Sequence, residues 1–182
     1  MESSIEQYLE HLDKLVGKEG QPFEITEQDQ RPAIWVYNYI GVPETGNITA
    51  FTYGLSSVEY PEWIRGRPEL LINVASNNID WALAAGFLVK KYRGRCPFSY
   101  GNIIRFGERI TKESEMTAFF VFAPSLFDQE ETYVKLPDRT INLVQIYPIY
   151  EEEIELITSV GVQNFFQNEE IDFCDVHRQN MG

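Results

Sequence analysis

The residues with the clearest chemical potential are the three consecutive glutamates at 151–153, which follow an apolar run that ends at Pro148. Clustered carboxylates can act as general acids and bases, bind a metal ion or face a basic protein. Acids are also common in the first turn of a helix, where they interact with free N–H groups and the positive end of the dipole. Ile154 and Ile157 follow at helical spacing. Because consecutive helical residues diverge by about 100°, the three carboxylates cannot converge, and the pattern favours a helix start.

Metal binding has little support elsewhere in the chain. Cys174 and His177 have the C-x-x-H spacing of half a zinc site. A structural zinc site needs four ligands, and the remaining cysteine and histidine, Cys96 and His11, stand alone in the sequence. We therefore expect no metal, with Cys96 a small buried hydrophobe and His11 solvated on a helix.

Nucleophilic and nucleotide chemistry also lack their motifs. The run Gly54-Leu55-Ser56-Ser57-Val58 matches only the first half of a nucleophile elbow, since Val58 replaces the second glycine. The sequence contains neither the phosphate-binding motif G-x-x-x-x-G-K-[ST] nor the dinucleotide-binding motif G-x-G-x-x-G. The basic run at 90–95 coincides with a predicted helix C-terminus, where bases complement the dipole. No cofactor and no catalytic set are predicted.

One enzymatic alternative stays open on the sequence alone. Glu59 or Glu62, from the central loop, could be brought close to Glu69 by the fold. Two such acids in an aromatic-lined cleft would suit a carboxylate-dependent hydrolase. No motif favours this arrangement.

The charge distribution is explained either by solubility alone or by a basic protein partner. The 182 residues carry a formal net charge of −13, of which residues 108–175 contribute −11. Such a polyanion should repel nucleic acid and anionic membranes and attract basic proteins. If a partner binds, we predict that acids of this half contact it, namely Asp128, Glu130, Glu131, Glu151, Glu152 and Glu155.

The cysteine content, the first residues and the length of the apolar runs indicate the cellular compartment. Two distant cysteines are too few for a disulfide scaffold and fit a reducing environment. The first residues do not resemble a signal peptide, and no apolar run approaches the ~20 residues that span a bilayer. We expect a cytoplasmic protein.

Periodicity predicts three main helices. The first spans 4–16, capped by Ser4 with Gln7 and ended by Gly17. The second follows Asn77 or Asn78, and the third spans 151–160. One further helical turn is expected at 162–167.

Runs rich in β-branched and aromatic residues predict strands. They lie at 22–27, 33–40, 48–53, 69–75, 102–106, 117–123 and 141–147, with a weaker one at 132–136. This order predicts a single α+β domain over residues 1–182, with a mostly antiparallel or mixed sheet flanked by helices. Residues 168–182 are polar and acidic, and are expected to form a loosely held tail. The aromatic loop at 60–63 is expected to cover the core, although exposed interface anchors are the alternative.

Several segments in fixed order resemble the suppressor-of-fused domain family. They are Tyr53-Gly54-Leu55-Ser56, Arg67-Pro68-Glu69-Leu70-Leu71, Trp81 to Tyr92, Gly101-Asn102-Ile103-Ile104, residues 119–124 and, most specifically, residues 143–153. The resemblance covers about residues 30–166. It implies an α+β fold without known catalysis. Animal members of the family bind a transcription-factor peptide and carry a second domain, for which this chain is too short.

Stand-alone members of this size resemble bacterial immunity proteins, which neutralise a cognate toxin. The resemblance therefore implies a non-catalytic module that binds and occludes a toxin domain, possible targets including nucleases. A regulatory module that adds a peptide strand to an exposed sheet edge is the alternative. The hydrolase is the third hypothesis. The oligomeric state is not predicted.

Overall fold

A computed structural model describes residues 2–25 and 30–182. Its centre is one mixed sheet in the order β1-β2-β3-β4-β8-β6-β5, with β7 pairing β8 beside β6. The strands are β1 (Gln21–Ile25), β2 (Ile34–Ile40), β3 (Ile48–Tyr53), β4 (Arg67–Val74), β5 (Ile103–Arg105), β6 (Ala118–Phe122), β7 (Tyr133–Lys135) and β8 (Thr140–Ile149). The helices are α1 (Ser4–Val16), α2 (Asp80–Tyr92), α3 (Glu153–Val160) and α4 (Val162–Phe166). The predicted α+β class and single domain are confirmed.

The longest strands lie at the centre of the sheet. β4 and β8 run parallel, with Arg67 opposite Ile141 and Leu71 opposite Gln145, whereas the other described pairs are antiparallel. Both strands are buried along nearly their whole length. Continuous burial is expected where a parallel pair is covered on both faces.

Helices cover the two faces of the sheet. α2 packs on one face, where Trp81 and Leu88 join a large apolar cluster with strand residues such as Val36. Gly86 permits this approach, since a Cβ atom there would lie 2.6 Å from Ile25 Cγ1. On the opposite face of the sheet, Tyr8 and Leu12 of α1 pack with strand side chains such as Tyr37, Tyr39 and Phe51. These side chains alternate along the strands with those that face α2.

The remainder of the α1 face is covered by α3, α4 and the C-terminal segment. These elements surround an aromatic cluster centred on Phe120 and Tyr147, whose rings stack at 4.8 Å. None of the helices in the described ranges is long and apolar enough to cross a membrane.

Two helix starts differ from the sequence-based expectation. Ser3, not Ser4, caps α1, and its capping-box partner is Glu6, because Ser3 has the extended backbone that an N-cap needs. α2 has no side-chain cap at Ile79, although Asn78 Oδ1 accepts the N–H of Asp80 at 3.0 Å.

The third helix also starts later than predicted. β8 continues through Pro148, which lies opposite Phe119, and ends at Ile149. A turn precedes α3, whose first residue is Glu153. Proline is tolerated here because β4 pairs β8 only as far as Gln145, so one edge of β8 needs no N–H donor from Pro148.

The expectation of a loosely held C-terminal tail is wrong. Ile171 and Val176 are buried, and Phe173 packs among the aromatic rings. The backbone N–H of Ala75, just after β4, donates to the carbonyl of Cys174 at 2.8 Å. Acidic residues give the segment a polar composition, but its apolar residues face inward and cover the diverging ends of β4 and β8.

Phe173→Ala tests this packing. The Phe173 ring lies 5.5 Å from those of Phe120, Phe165 and Phe166. Because truncation leaves a cavity in a partly buried cluster, we expect the free energy of unfolding to fall by about 2–4 kcal/mol in urea titration. The exposed neighbour Glu170 supplies the control, and Glu170→Ala should change it by less than about 0.5 kcal/mol. Equal effects of the two variants would mean that the segment is not packed.

Candidate functional site

The Tyr53-Gly54-Leu55-Ser56 motif wraps around the side chain of Glu69, which is 0% exposed. Oε1 accepts the N–H of Gly54 at 2.8 Å, the N–H of Ser56 at 2.9 Å and the Ser56 hydroxyl at 2.7 Å. Oε2 accepts the hydroxyl of Thr52 at 2.7 Å and the N–H of Leu55 at 3.3 Å. Five donors satisfy the buried carboxylate, which fixes the turn after β3 onto β4.

Glycine is required at the start of this turn. Gly54 has a φ of 134°, and a Cβ atom there would lie 2.9 Å from the carbonyl oxygen of Ala33. The backbone thus approaches β2 too closely for a side chain. The partial nucleophile-elbow pattern at 54–58 is therefore a turn that binds an internal carboxylate, and Ser56 donates its hydroxyl to Glu69.

Two arginines complete this network. Arg67 Nη1 donates to the Ser56 carbonyl at 3.2 Å. Arg139, next to the start of β8, donates to Ser56 Oγ at 3.0 Å and to the Tyr53 hydroxyl at 2.9 Å. The motif residues thus tie β3, β4 and β8 together, and their function is structural.

The acid cluster after Pro148 is divided between a buried and an exposed part. Glu153 is 0% exposed and forms two hydrogen bonds with Arg178, at 2.5 Å to Nη1 and 2.8 Å to Nη2. The N–H groups of Tyr150 and Met181 also donate to the Glu153 carboxylate. The prediction of a helix start holds, since Glu153 opens α3, but the Arg178 partner was not foreseen because it lies 25 residues away.

The six acids predicted to bind a partner are all exposed but form two separate groups. Asp128, Glu130 and Glu131 lie in or beside a 3₁₀ turn, where Asp128 and Glu131 form a capping box. Glu151, Glu152 and Glu155 lie beyond the end of β8. Tyr133 after the turn pairs with Asn142, seven residues before Ile149, so about 23 Å of strand separates the groups.

Local contacts involve several of these acids. Glu151 accepts Arg105 Nε at 2.8 Å and the Thr117 hydroxyl at 3.3 Å. Glu152 accepts the side-chain amide of Asn180 at 3.0 Å. Glu130 and Glu155 are exposed and remain the simplest candidates for partner contact. Whether any of the six binds a partner stays a prediction.

The structure does not assemble the two-acid cleft. Glu69 is enclosed by its five donors, whereas Glu59 pairs with Arg67 at 2.9 Å with its own side chain 86% exposed. Glu62 lines an open surface groove beside Trp63. In the loop at 60–63, Trp63 packs against the core and donates Nε1–H to the Pro97 carbonyl at 2.7 Å.

The half zinc site is not completed either. Cys174 Sγ donates to Asn73 Oδ1 at 3.0 Å, and His177 lies 3.9 Å from Glu113. Across residues 2–25 and 30–182, no three His, Cys, Asp or Glu side chains are grouped so as to hold a metal ion. Cys96 is only partly buried, and His11 Nε2 lies 3.1 Å from the Glu131 carbonyl oxygen rather than in open solvent.

Neither thiol is suited to nucleophilic chemistry. Burial, followed by the negative charge of Asp172, raises the pKa of Cys174 to about 11. Burial also raises the pKa of Cys96. The nucleophile in cysteine chemistry is the thiolate, which is scarce at neutral pH for both residues.

The described surface also contains a cavity that the sequence did not predict. It lies between α2 and residues 106–110 and has a volume of about 730 Å³. Its lining includes Lys90, Lys91 and Arg95 from the basic run, together with the half-exposed Phe87. The helical pattern of α2 predicted which face of the helix is buried. It did not indicate that residues 106–110 would form a wall beside the opposite face.

Comparison with known proteins identifies the fold family. The family model for suppressor of fused protein (SUFU) matches residues 30–179. The chain belongs to the suppressor of fused family. The match includes Arg178, so the C-terminal segment that packs on β8 is largely part of the family domain.

Solved structures agree with this assignment. A SUFU homologue from Neisseria gonorrhoeae FA 1090 superposes with a TM-score of 0.70 at 19% identity, over 96% of this chain and 94% of that one. A chain from a Sufu–Fu complex superposes with a TM-score of 0.69 at 17% identity, over 97% of this chain and 91% of that one. Drosophila Suppressor of Fused superposes with a TM-score of 0.67 at 16% identity, and the match covers 97% of this chain but 50% of that one. At these identities the likeness shows a shared fold. No curated protein matches the chain.

Glu69→Gln tests the structural role of the motif. The NH2 end of the new amide would face either the N–H groups of Gly54 and Ser56 or the N–H group of Leu55. In both orientations of the amide, donors would therefore oppose each other. We expect the free energy of unfolding to fall by at least about 3 kcal/mol. The measurement is urea unfolding, with the exposed Glu62→Gln as the matched control. An unchanged midpoint for Glu69→Gln would refute the network.

Alkylation of Cys174 tests its environment. With a pKa raised to about 11, the thiolate fraction is small at pH 8 and grows as the pH rises toward 11. We expect iodoacetamide to modify native Cys174 at least roughly tenfold more slowly than the same residue in guanidinium, followed by peptide mass spectrometry. Equal rates in the native and unfolded chains would contradict the burial of this thiol.

Proposed function

We propose that this suppressor of fused domain is a non-catalytic protein-binding module that binds and occludes a cognate bacterial toxin domain. The observation that carries the proposal is the division of its carboxylates. Two acids of the family motifs, Glu69 and Glu153, are enclosed and hydrogen-bonded inside the domain, whereas Glu151, Glu152 and many other acids lie on the surface. The first set cannot meet a substrate, and the second set can meet a basic protein.

Relatives support the binding part of this proposal. One similar chain was solved as part of a Sufu–Fu complex. Another similar chain is a bacterial SUFU homologue of nearly the same extent. A domain of this fold can therefore form complexes with other proteins, and it occurs at this size in bacteria.

Electrostatics supports a basic partner. Residues 108–175 carry a net charge of −11, and Glu130 and Glu155 lie exposed within that range. A negative surface raises the association rate with a basic protein by one to three orders of magnitude at low salt. Nuclease toxins need basic surfaces to hold nucleic acid, so an acidic module would both find and cover such a surface.

Addition of a peptide strand to the sheet edge is the second candidate. β5 pairs with β6 on one side, where the N–H of Phe106 donates to Thr117 and that of Val121 to Asn102. By alternation, the backbone groups of Ile103 and Arg105 point to the outer side. Tyr92 already donates to the Arg105 carbonyl at 2.8 Å, so only a short peptide segment would pair there. A partner that is not a toxin would favour this function.

Co-expression with the toxin of the adjacent gene tests the proposal. We expect the chain to protect cells, and the purified pair to associate at least about tenfold faster in 20 mM than in 500 mM salt, because screening removes the steering. Glu130→Lys with Glu155→Lys should slow association, whereas Lys135→Gln with Arg65→Gln should not. Absence of protection would refute the proposal that the chain neutralises this toxin. An association rate independent of salt would refute the electrostatic mechanism.

A further inference from the structure

The groove between residues 62–66 and 97–100, here called the Trp63 groove, carries the two most exposed large hydrophobic side chains of the described residues. Ile64 is 90% exposed and Tyr100 is 51% exposed, and both line this groove. Its volume is about 580 Å³. Exposed apolar side chains around a concave surface indicate an interaction site.

The floor of the groove is a row of residues on three neighbouring strands. Pro68 of β4 lies opposite Asn142 of β8, and Asn142 lies opposite Tyr133 of β7. All three residues line the groove. Because paired strands hold them in register, the base of the groove is formed before a partner arrives, which lowers the entropic cost of binding.

The two walls are held together by the fold. Trp63 donates Nε1–H to the Pro97 carbonyl at 2.7 Å, which joins one wall to the other. The Tyr100 ring lies 5.4 Å from the ring of Phe122, which supports it from β6. Ile64 is almost fully in water, so its side chain contributes little to the packing of the domain itself.

The groove borders one of the two acidic groups described above. Gln129 lines the groove and begins the 3₁₀ turn Gln129–Thr132. Asp128, Glu130 and Glu131 are all exposed in or beside this turn. The second acidic group lies beyond the far end of β8, about 23 Å along the strand. An apolar groove and an acidic turn therefore form one continuous surface.

The charge beside the groove is negative. Glu62 and Arg65, which line it, have opposite charges. The neighbouring Glu59 and Arg67 pair with each other at 2.9 Å. Lys135 of β7 opposes one of the three acids of the turn, so an excess of negative charge remains. This excess favours a partner segment that carries bases.

Charge and apolar area have different effects on a protein complex. Exposed charges chiefly raise the association rate, whereas the lifetime of a complex depends on a few apolar or aromatic anchors that are buried at its centre. A module that occludes its partner must hold it for a long time. The exposed acids therefore need an apolar surface beside them, and the Trp63 groove supplies one.

We propose that the Trp63 groove receives one large apolar side chain of the basic partner, while Lys or Arg residues beside that side chain meet the acids at 128–131. This inference rests on the proposed function for the choice of a basic partner. It assigns the anchor of the complex to the groove and selects the acidic group at 128–131 over the group at 151–155.

Fluorescence anisotropy of the full chain tests the chemistry of the groove with defined probes. The first is a fluorescein-labelled peptide of Lys, Arg and Gly around a central Phe. The second has Ala in place of Phe, and the third has Gln in place of the bases. We expect the first to bind at least about tenfold more tightly than either of the others.

Variants at exposed positions then locate the site. Ile64→Ser with Tyr100→Ala should remove the advantage of the first peptide over the Ala peptide. Ile40→Ser supplies the control, since Ile40 is 48% exposed at the end of β2 and does not line the groove. Circular dichroism melting verifies that each variant is folded.

Charge variants distinguish the two acidic groups. Glu62→Gln with Glu130→Gln should weaken binding of the first peptide at least about threefold, because both acids lie in or beside the groove. Glu155→Gln with Glu170→Gln removes the same number of exposed charges elsewhere and should leave the affinity unchanged. Equal loss with the two pairs would mean that the peptide responds to net charge alone and would refute the site.

The toxin of the adjacent gene provides the second readout. Ile64→Ser with Tyr100→Ala should shorten the lifetime of its complex with the chain at least about tenfold, while the association rate stays within about threefold. An unchanged lifetime would overturn the proposal. No binding of the first peptide at millimolar concentration, or equal loss with Ile40→Ser, would also overturn it. If the chain fails to protect cells, the proposed function fails, whereas the peptide titrations still decide whether the groove binds an apolar anchor.

Discussion

A carboxylate removed from water must receive hydrogen bonds that replace its hydration, and this requirement at Glu69 organises the centre of the domain. The turn after β3 has to present three N–H groups to one side chain, which requires Gly54 and places Ser56 between Glu69 and Arg139. That arrangement links β3, β4 and β8. Glu153 imposes the same requirement at the other end of β8. Arg178 meets it, so the C-terminal segment is held against the sheet.

The sequence predicted the elements well because their signals are local. Alternating and helical periodicity located the strands and the main helices, and the ordered motifs indicated the family. The errors concern interactions between distant residues. Nothing near Phe173 reveals that it packs with Phe120, and nothing near Glu153 reveals Arg178. Acidic neighbours made residues 168–182 resemble a solvated tail, although Ile171, Phe173 and Val176 recur among them.

The candidate site was predictable only in its chemistry. Net charge indicated an acidic half of the chain, but composition does not say which acids the fold itself uses. Glu131 caps a turn and Glu151 pairs with Arg105, while Glu130 and Glu155 remain exposed. The cavity beside α2 could not be predicted, because its lining combines residues from three separate regions of the chain.

The proposed function requires the domain to occupy a partner rather than to turn over a substrate. Titration of the adjacent gene's toxin with the purified chain, with toxin activity as the readout, tests it most directly. Occlusion predicts that activity falls linearly and vanishes at a one-to-one ratio, with both proteins recovered unmodified in one complex. Inactivation of the toxin by a small fraction of an equivalent of the chain would mean catalysis and would contradict occlusion.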